Sequence, residues 1–423
     1  MRILVLGSGA REHAIILALR SEDAPHELFA APGNAGIASD AVLVDVDAND
    51  PASVTEFANE NAIDLVIVGP EAPLIAGVAD ALRERGFPVF GPGRAAAQLE
   101  GSKTFAKRIM DAAGVPSGRA IRATTLDEVA AALDDLGAPH VVKADGLAGG
   151  KGVLVTEDRS AALVHAAAFL PSGAVLVEEF LAGPEVSLFF LSDGDHVLPL
   201  SPAQDYKRLG DGDAGPNTGG MGAYSPLPWL SDLFGDENTF VHHVTTEIAE
   251  PVIRQLDAEG TPFIGLLYAG LILTEHGIKV IEFNARFGDP ETQAVLPRLV
   301  DPLSELLLAA ASGTLEDQPR PAFADAVAVT VVLANEGYPQ APVTGRRIRG
   351  LDAAASVEGV HIVHAATADE GGDLIATGGR VVNVVGLGTT FAEARDRAYR
   401  ALSVIELDGA QYRTDIARRV VED

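Results

Sequence analysis

Val280-Ile-Glu-Phe-Asn-Ala-Arg286 runs directly into Phe287-Gly-Asp-Pro-Glu-Thr-Gln293. The first half reads as a β-strand, in which successive side chains point to opposite faces. Ile281 and Phe283 then take one face, and Glu282, Asn284 and Arg286 take the other. A carboxylate and an amide oxygen are hard ligands that suit Mg²⁺, with nucleotide phosphates completing the shell. An arginine beside them can grip a transferring phosphoryl group or a carboxylate. The competing reading is a polar strand face held by an ion pair. The turn 287–293 argues against it, being polar and of little packing value.

Working outward, strands are expected near 266–273 and 278–285, with a long helix from about 240 to 257 and an apolar-spaced helix over 302–311. Upstream lies Gln204-Asp-Tyr-Lys-Arg208 and then the loop Gly210–Gly222, which overlaps Gly215-Pro-Asn-Thr-Gly-Gly-Met-Gly-Ala-Tyr224-Ser-Pro226. Such a loop binds through backbone amides and small hydroxyls, or is simply disordered, and composition alone leans towards disorder.

Residues 103–190 read as a small α+β unit. Lys103–Ala113 is helical and stops at Gly114, and Val115-Pro116 opens a linker. Strands His140–Lys143 and Val153–Thr156 flank Asp145-Gly-Leu-Ala-Gly-Gly-Lys-Gly152, followed by helix Ala161–Phe169 and strands Val175–Glu179 and Glu185–Leu191. A glycine-rich hairpin lets backbone amides approach phosphate, and its lysine adds a point charge. The alternative is a flexible surface hairpin. Lys143, on a buried-looking strand, weakens that alternative because a lysine there needs an anionic partner. Five of the six lysines fall between 103 and 207.

Residues 1–102 alternate strands (Arg2–Leu6, Leu28–Ala31, Val42–Val46, Leu65–Val68, Val89–Phe90) with helices (Arg11–Arg20, Ser53–Asn61, Ala76–Arg85). That pattern implies a doubly wound parallel sheet, with ligands beyond the carboxyl ends of its strands. Gly7-Ser-Gly9-Ala-Arg11-Glu12 lacks the third glycine of a dinucleotide fingerprint, and Ala-Ala-Pro replaces the acid expected for the ribose. NAD is therefore excluded, although the turn still suits a phosphate. The alternative is a tight strand–helix turn with no ligand. Residues 326–423 carry strands at 326–333, 360–366 and 380–385 and a helix at 391–405.

The chain has 423 residues, no cysteine and a net charge of −29. The lack of cysteine removes disulfides, thiolate metal sites and cysteine nucleophiles, and fits a reducing compartment. The acidic sum argues against broad nucleic-acid or anionic-membrane binding. It is unevenly spread: residues 103–190 carry only −3, while 191–325 carry −14. No signal peptide or membrane-spanning apolar run is evident. A cytoplasmic location and a monomer are expected.

Together the segments GSGAREHA (7–14), APGNAG (31–36), VGPEAPL (68–74), LEGSK (99–103), VKADGLAGGKGV (142–153), VEEFLAGPEVS (177–187), QDYKR, GPNTGGMGAYSP and VIEFNARFGDPETQ resemble the ATP-grasp superfamily and, within it, the phosphoribosylamine–glycine ligase family. The likeness covers essentially the whole chain. It implies an ATP-grasp α/β architecture with an N-terminal parallel-sheet domain (1–102), a small ATP-flap portion (103–190), a larger portion with the metal and glycine sites (191–325) and a small C-terminal α+β domain (326–423). It implies a ligase of purine biosynthesis that uses ATP and Mg²⁺ or Mn²⁺ to join glycine to 5-phosphoribosylamine. Carried over by position, Glu282 and Asn284 are the metal ligands, and Lys103, Lys143 and the flap residues Gly149, Gly150, Lys151 and Gly152 hold the ATP phosphates. Glu178, Glu179, Phe180 and Leu181 form the adenine hinge, and Glu185 is the acid on the ribose hydroxyls. Asp205 with Asn217, Thr218, Gly219 and Gly220 holds glycine, and Arg286 the phosphoryl or acyl-phosphate oxygens. Gly9, Arg11, Glu12, Asn34 and Glu71 hold the phosphoribosylamine. Tyr268–Leu273 offers no second acidic metal ligand of the kind other branches carry. The alternative within the superfamily is another carboxylate–amine ligase or a carboxylase of nucleotide metabolism.

Overall fold

A computed structural model describes residues 1–147 and 152–422. Its first sheet has five parallel strands in the order 42–43, 27–32, 2–7, 65–68, 89–90. The central strands are apolar and buried on both sides, as a sheet covered by helices requires. Chain direction across the sheet reverses between strands 2–7 and 65–68, which opens a crevice at Gly7 and Gly69. The strand expected over 42–46 shortens to Val42–Leu43 at the exposed edge, where half its pairing partners are missing. The helix expected over 76–85 is two, Glu71–Ala76 and Val78–Glu84. Gly77 sits between them at φ +88°, a left-handed conformation that glycine adopts without steric cost.

A four-stranded antiparallel sheet follows in the order 120–123, 175–178, 140–144, 153–156. Helices Leu126–Leu136 and Arg159–Phe169 cover it. The stretch after Val115 is therefore not only a linker. Strand Ala120–Ala123 and helix Leu126–Leu136 lie there, and Thr125 and Glu128 close a capping box at the helix start. Helix Lys103–Ala113 begins at Ser102, whose hydroxyl accepts from the Phe105 amide at 3.1 Å, and ends at Gly114.

The second antiparallel sheet has the order 197–199, 185–193, 264–274, 277–284. Strand 185–193 thus crosses the division expected at 190/191 and belongs wholly to this sheet. The long helix is realised from Glu237 to Ala258 with a wide turn at 245–249. A third sheet, ordered 204–205, 222–225, 327–334, 380–388, 360–364, mixes strands from both sides of residue 326. The C-terminal domain therefore continues directly into the strands that bracket the glycine-rich loop. No helix among the described residues is long and apolar enough to cross a membrane.

Candidate active site

Glu282 lies opposite Gly270, and Asn284 opposite Tyr268, on the strand pair 264–274/277–284. A Cβ on Gly270 would sit 3.2 Å from Glu282 Cγ, so the glycine leaves room for the carboxylate. Among the described residues neither the Glu282 nor the Asn284 side chain has a hydrogen-bond partner. Burial works to raise the Glu282 carboxyl, but Lys207, Lys143, Lys103 and Arg286 outweigh it and hold it below its usual value. No group of three or more His, Asp or Glu among the described residues could cage a metal unaided. Two hard oxygens free of protein partners fit Mg²⁺ or Mn²⁺ only if phosphates and water complete the shell.

The lysines converge from strand 140–144, which carries Lys143, and from helix 103–113, which carries Lys103 and Lys107. Lys143 Nζ donates to Ile281 O at 3.1 Å, next to Glu282, and pairs with Glu178 at 2.9 Å. Lys107 Nζ lies 3.6 Å from the same carboxylate and donates to Gly118 O at 2.9 Å. Burial, only partly offset by Glu178, lowers the Lys107 pKa. The buried Glu178 side chain therefore balances two buried cations. The Glu179 amide donates to Arg119 O at 2.8 Å and is already spent. The Phe180 and Leu181 backbone and the Glu179 carbonyl are unpaired among the described residues. Glu185 pairs with Lys207 at 2.5 Å. Asp145 fastens the base of the glycine-rich hairpin to the start of helix 103–113, accepting from Ser102 Oγ at 3.1 Å and Thr104 Oγ1 at 2.5 Å. Lys103 Nζ reaches Gly146 O at 3.3 Å, and Gly152 O accepts from Ala144 N at 2.8 Å. Gly149, Gly150 and Lys151 lie outside the described residues.

Asp205 faces the same cleft. Burial drives its carboxyl up, Lys207 opposes, and Glu291, Glu185 and Glu282 add to the rise, leaving it at about 8. Glu291, 3% exposed, accepts from Ser187 Oγ at 3.1 Å, and that hydroxyl meets Tyr268 Oη at 2.8 Å. Ser187, Tyr268 and Glu291 were not expected here. The turn 287–293 was legible as polar, but nothing in its spacing says which carboxylate turns inward. The loop 217–220 is ordered rather than disordered. Its Thr218 Oγ1 donates to Lys207 O at 2.9 Å and accepts from Gly220 N at 3.0 Å, while Asn217 pairs with Arg208 across a short hairpin.

The N-terminal turns divide differently. Glu12 is 1% exposed, and its oxygens accept from Gly9 N and Arg11 Nε, both at 2.6 Å. A Cβ on Gly7 or Gly69 would overlap this carboxylate, so Glu12 fills the crevice between strands 2–7 and 65–68. Asn34 is likewise engaged: its Nδ2 donates towards Ser8 O, His364 O and Ala365 O at 2.9–3.1 Å, and its Oδ1 accepts from Gly36 N and Ile37 N at 2.9 Å. These bonds tie both side chains to their own turns, while the Glu12 carboxylate, with two bonds accepted, keeps further lone pairs. Glu71 is freer, at 3.8 Å from Arg286 Nε. Arg286 Nη2 pairs with Glu100 at 2.8 Å, and its buried Nε–H has no hydrogen-bond partner. Glu100, inside the 99–103 segment, also accepts from Ala285 N at 2.8 Å.

Two antiparallel sheets closing on one lysine-lined cleft, in front of a parallel-sheet domain, form the ATP-grasp arrangement. Three family descriptions then tile the chain: Phosphoribosylglycinamide synthetase, N domain, over residues 1–100; its ATP-grasp (A) domain over 101–292; and its C domain over 328–419. The chain belongs to the phosphoribosylglycinamide synthetase family. It is 70% identical to a phosphoribosylamine–glycine ligase of Leifsonia xyli subsp. xyli, covering 99% of this chain and 100% of that one. It is 55% identical to one from Streptomyces coelicolor, over 99% of both. The crystal structure of phosphoribosylamine–glycine ligase from Thermotoga maritima superposes with a TM-score of 0.81 at 33% identity, covering 98% of this chain and 100% of that one. A biotin carboxylase domain from Hydrogenobacter thermophilus shares the fold, with a TM-score of 0.71 at 17% identity over 97% of this chain and 91% of that one.

Proposed function

We infer that the chain is an ATP-dependent ligase that joins glycine to 5-phosphoribosylamine, giving glycinamide ribonucleotide, ADP and phosphate. End-to-end similarity to phosphoribosylamine–glycine ligases supports the substrates. The observation that carries the chemistry is the Glu282–Asn284 pair, free of protein partners and facing Lys143, Lys103 and Lys207.

In the first step a glycine carboxylate oxygen attacks the γ-phosphorus and the β–γ bridge breaks to release ADP. The amine of phosphoribosylamine then attacks the glycyl carbonyl, loses a proton and expels phosphate. Phosphoryl transfer of this kind needs alignment and charge neutralisation rather than a protein nucleophile. Lys103 and Lys143 hold phosphate oxygens. Glu282 and Asn284 would hold Mg²⁺ or Mn²⁺, which when bound neutralises charge on those oxygens. Phe180 and Leu181 hold the adenine through their backbone, and Glu185 the ribose once Lys207 yields it. Asp205 and the 217–220 loop, through its Asn217 and Thr218 side chains, receive glycine. An ammonium beside Asp205 would draw its carboxyl back towards the ionised form. Arg286 orients the acyl-phosphate oxygens, and Glu71 with the 7–12 turn meets the phosphoribosylamine. The protein works on small molecules in the cytosol as a monomer; its net charge of −29 and its lack of cysteine support that setting.

A coupled ADP-release assay with each substrate omitted tests the reading. Full turnover is expected only with ATP, glycine and phosphoribosylamine together. ADP release at full rate with another amino acid, and none with glycine, would overturn it.

A further inference from the structure

Arg380 opens strand 380–388 of the C-terminal domain, far in sequence from every segment assigned to the reaction. Its Nη1 donates to Gly219 O at 2.6 Å and Asp289 O at 2.8 Å, and its Nη2 pairs with Asp289 Oδ2 at 3.1 Å. Asp289 belongs to the turn that continues the metal strand, and its other oxygen accepts from Gln293 Nε2 at 2.8 Å. From the same domain Tyr338 Oη accepts the Gly219 amide at 2.9 Å. Gly220, at φ +107°, lets the loop pass so close to Pro290 that a Cβ would collide with the ring. One guanidinium thus cross-links the glycine-rich loop to the turn beyond Glu282, and a phenol fixes the other side of the same peptide.

We propose that Arg380, assisted by Tyr338, is a positioning residue for glycine: it sets the 217–220 loop against the Asp289 turn so that the Asn217 and Thr218 side chains meet the amino acid at a fixed distance from the metal strand. A planar fork that serves two carbonyls and a carboxylate is a role lysine fills only in part, because an ammonium lacks the rigid spacing. Arg380 is a positioning residue rather than a catalytic one, since its donors end on protein atoms. The proposal rests on the reading that loop 217–220 receives glycine.

Steady-state kinetics of the full chain test it, with each substrate varied in turn. Arg380→Met should raise the glycine KM by roughly tenfold or more while leaving the ATP KM within about twofold. Arg380→Lys should recover part of the loss, and Tyr338→Phe should shift the glycine KM in the same direction by a smaller factor. An unchanged glycine KM in both Arg380→Met and Tyr338→Phe would overturn the proposal. So would equal shifts in all three KM values accompanied by a lower melting temperature, which is the mark of a scaffold residue. If Arg380→Met does not fold, the Tyr338→Phe result decides alone. Failure of the underlying reading is separable, because Asn217→Ala, which removes a loop side chain without touching Arg380, would then leave the glycine KM unchanged.

Discussion

Two carboxylates, one buried and one half-buried, have opposite fates. Glu12 follows a glycine-rich turn after the first strand, and Glu282 lies on a strand that runs into a polar turn. Glu12 is tied to its own chain, through Gly9 N and Arg11 Nε. Glu282 has no hydrogen-bond partner among the described residues and is kept ionised by four cations around it. The first braces a turn, and the second keeps both oxygens open. What separates them is whether local backbone donors reach the oxygens. A turn brings its own amides to the Glu12 side chain, whereas in a sheet the amides are already committed to the neighbouring strand.

Removing Glu282 gives the largest expected effect. Glu282→Ala should cut turnover by about a thousandfold or more, as loss of a preorganised electrostatic partner does. Its melting temperature should stay near that of the wild type, because no protein group loses a hydrogen bond. Near-normal ADP release would remove the metal role. Glu12→Gln should do the reverse. It leaves Arg11 buried beside a neutral amide and should cost about 3 kcal/mol of stability, read by urea unfolding. An unaltered unfolding midpoint with a raised phosphoribosylamine KM would return Glu12 to the binding site.

The smallest effect concerns Asp205. Its folded-state pKa of about 8 lies above the ordinary carboxyl value of 3.8. Between those values the folded protein binds more protons than the unfolded chain, so this group's contribution to stability is lost as pH rises. Asp205→Asn should therefore gain on the wild type in thermal midpoint as pH climbs from about 5 to about 8. A constant difference across that window would show that Asp205 is ionised throughout.

Much of the fold could be read directly. Strands Leu65–Val68, Val89–Phe90 and Val153–Thr156 and helix Lys103–Ala113 occur with the expected boundaries. Their signals are local: an apolar run, a serine cap, a glycine stop. The alternation at 280–286 likewise puts Glu282 and Asn284 on one face. Helix Leu126–Leu136 carried a Thr–Glu capping box that was open to reading. No such local signal marks Arg380, Tyr338 or Glu291, each of which acts on a partner contributed by a different segment.

The sequence alone therefore determined the family, the parallel and antiparallel layers, and the presence of a phosphate-handling cleft. These follow from period, punctuation and motif, which are short-range properties of the chain. Tertiary structure decided which polar groups are spent and which are available. It turned Glu12 and Asn34 into ties, set Glu178 between two lysines, and brought a C-terminal arginine 161 residues away onto Gly219. A carboxylate's chemistry depends on the donors and charges within a few ångströms of it, and those neighbours are assembled only when distant strands meet.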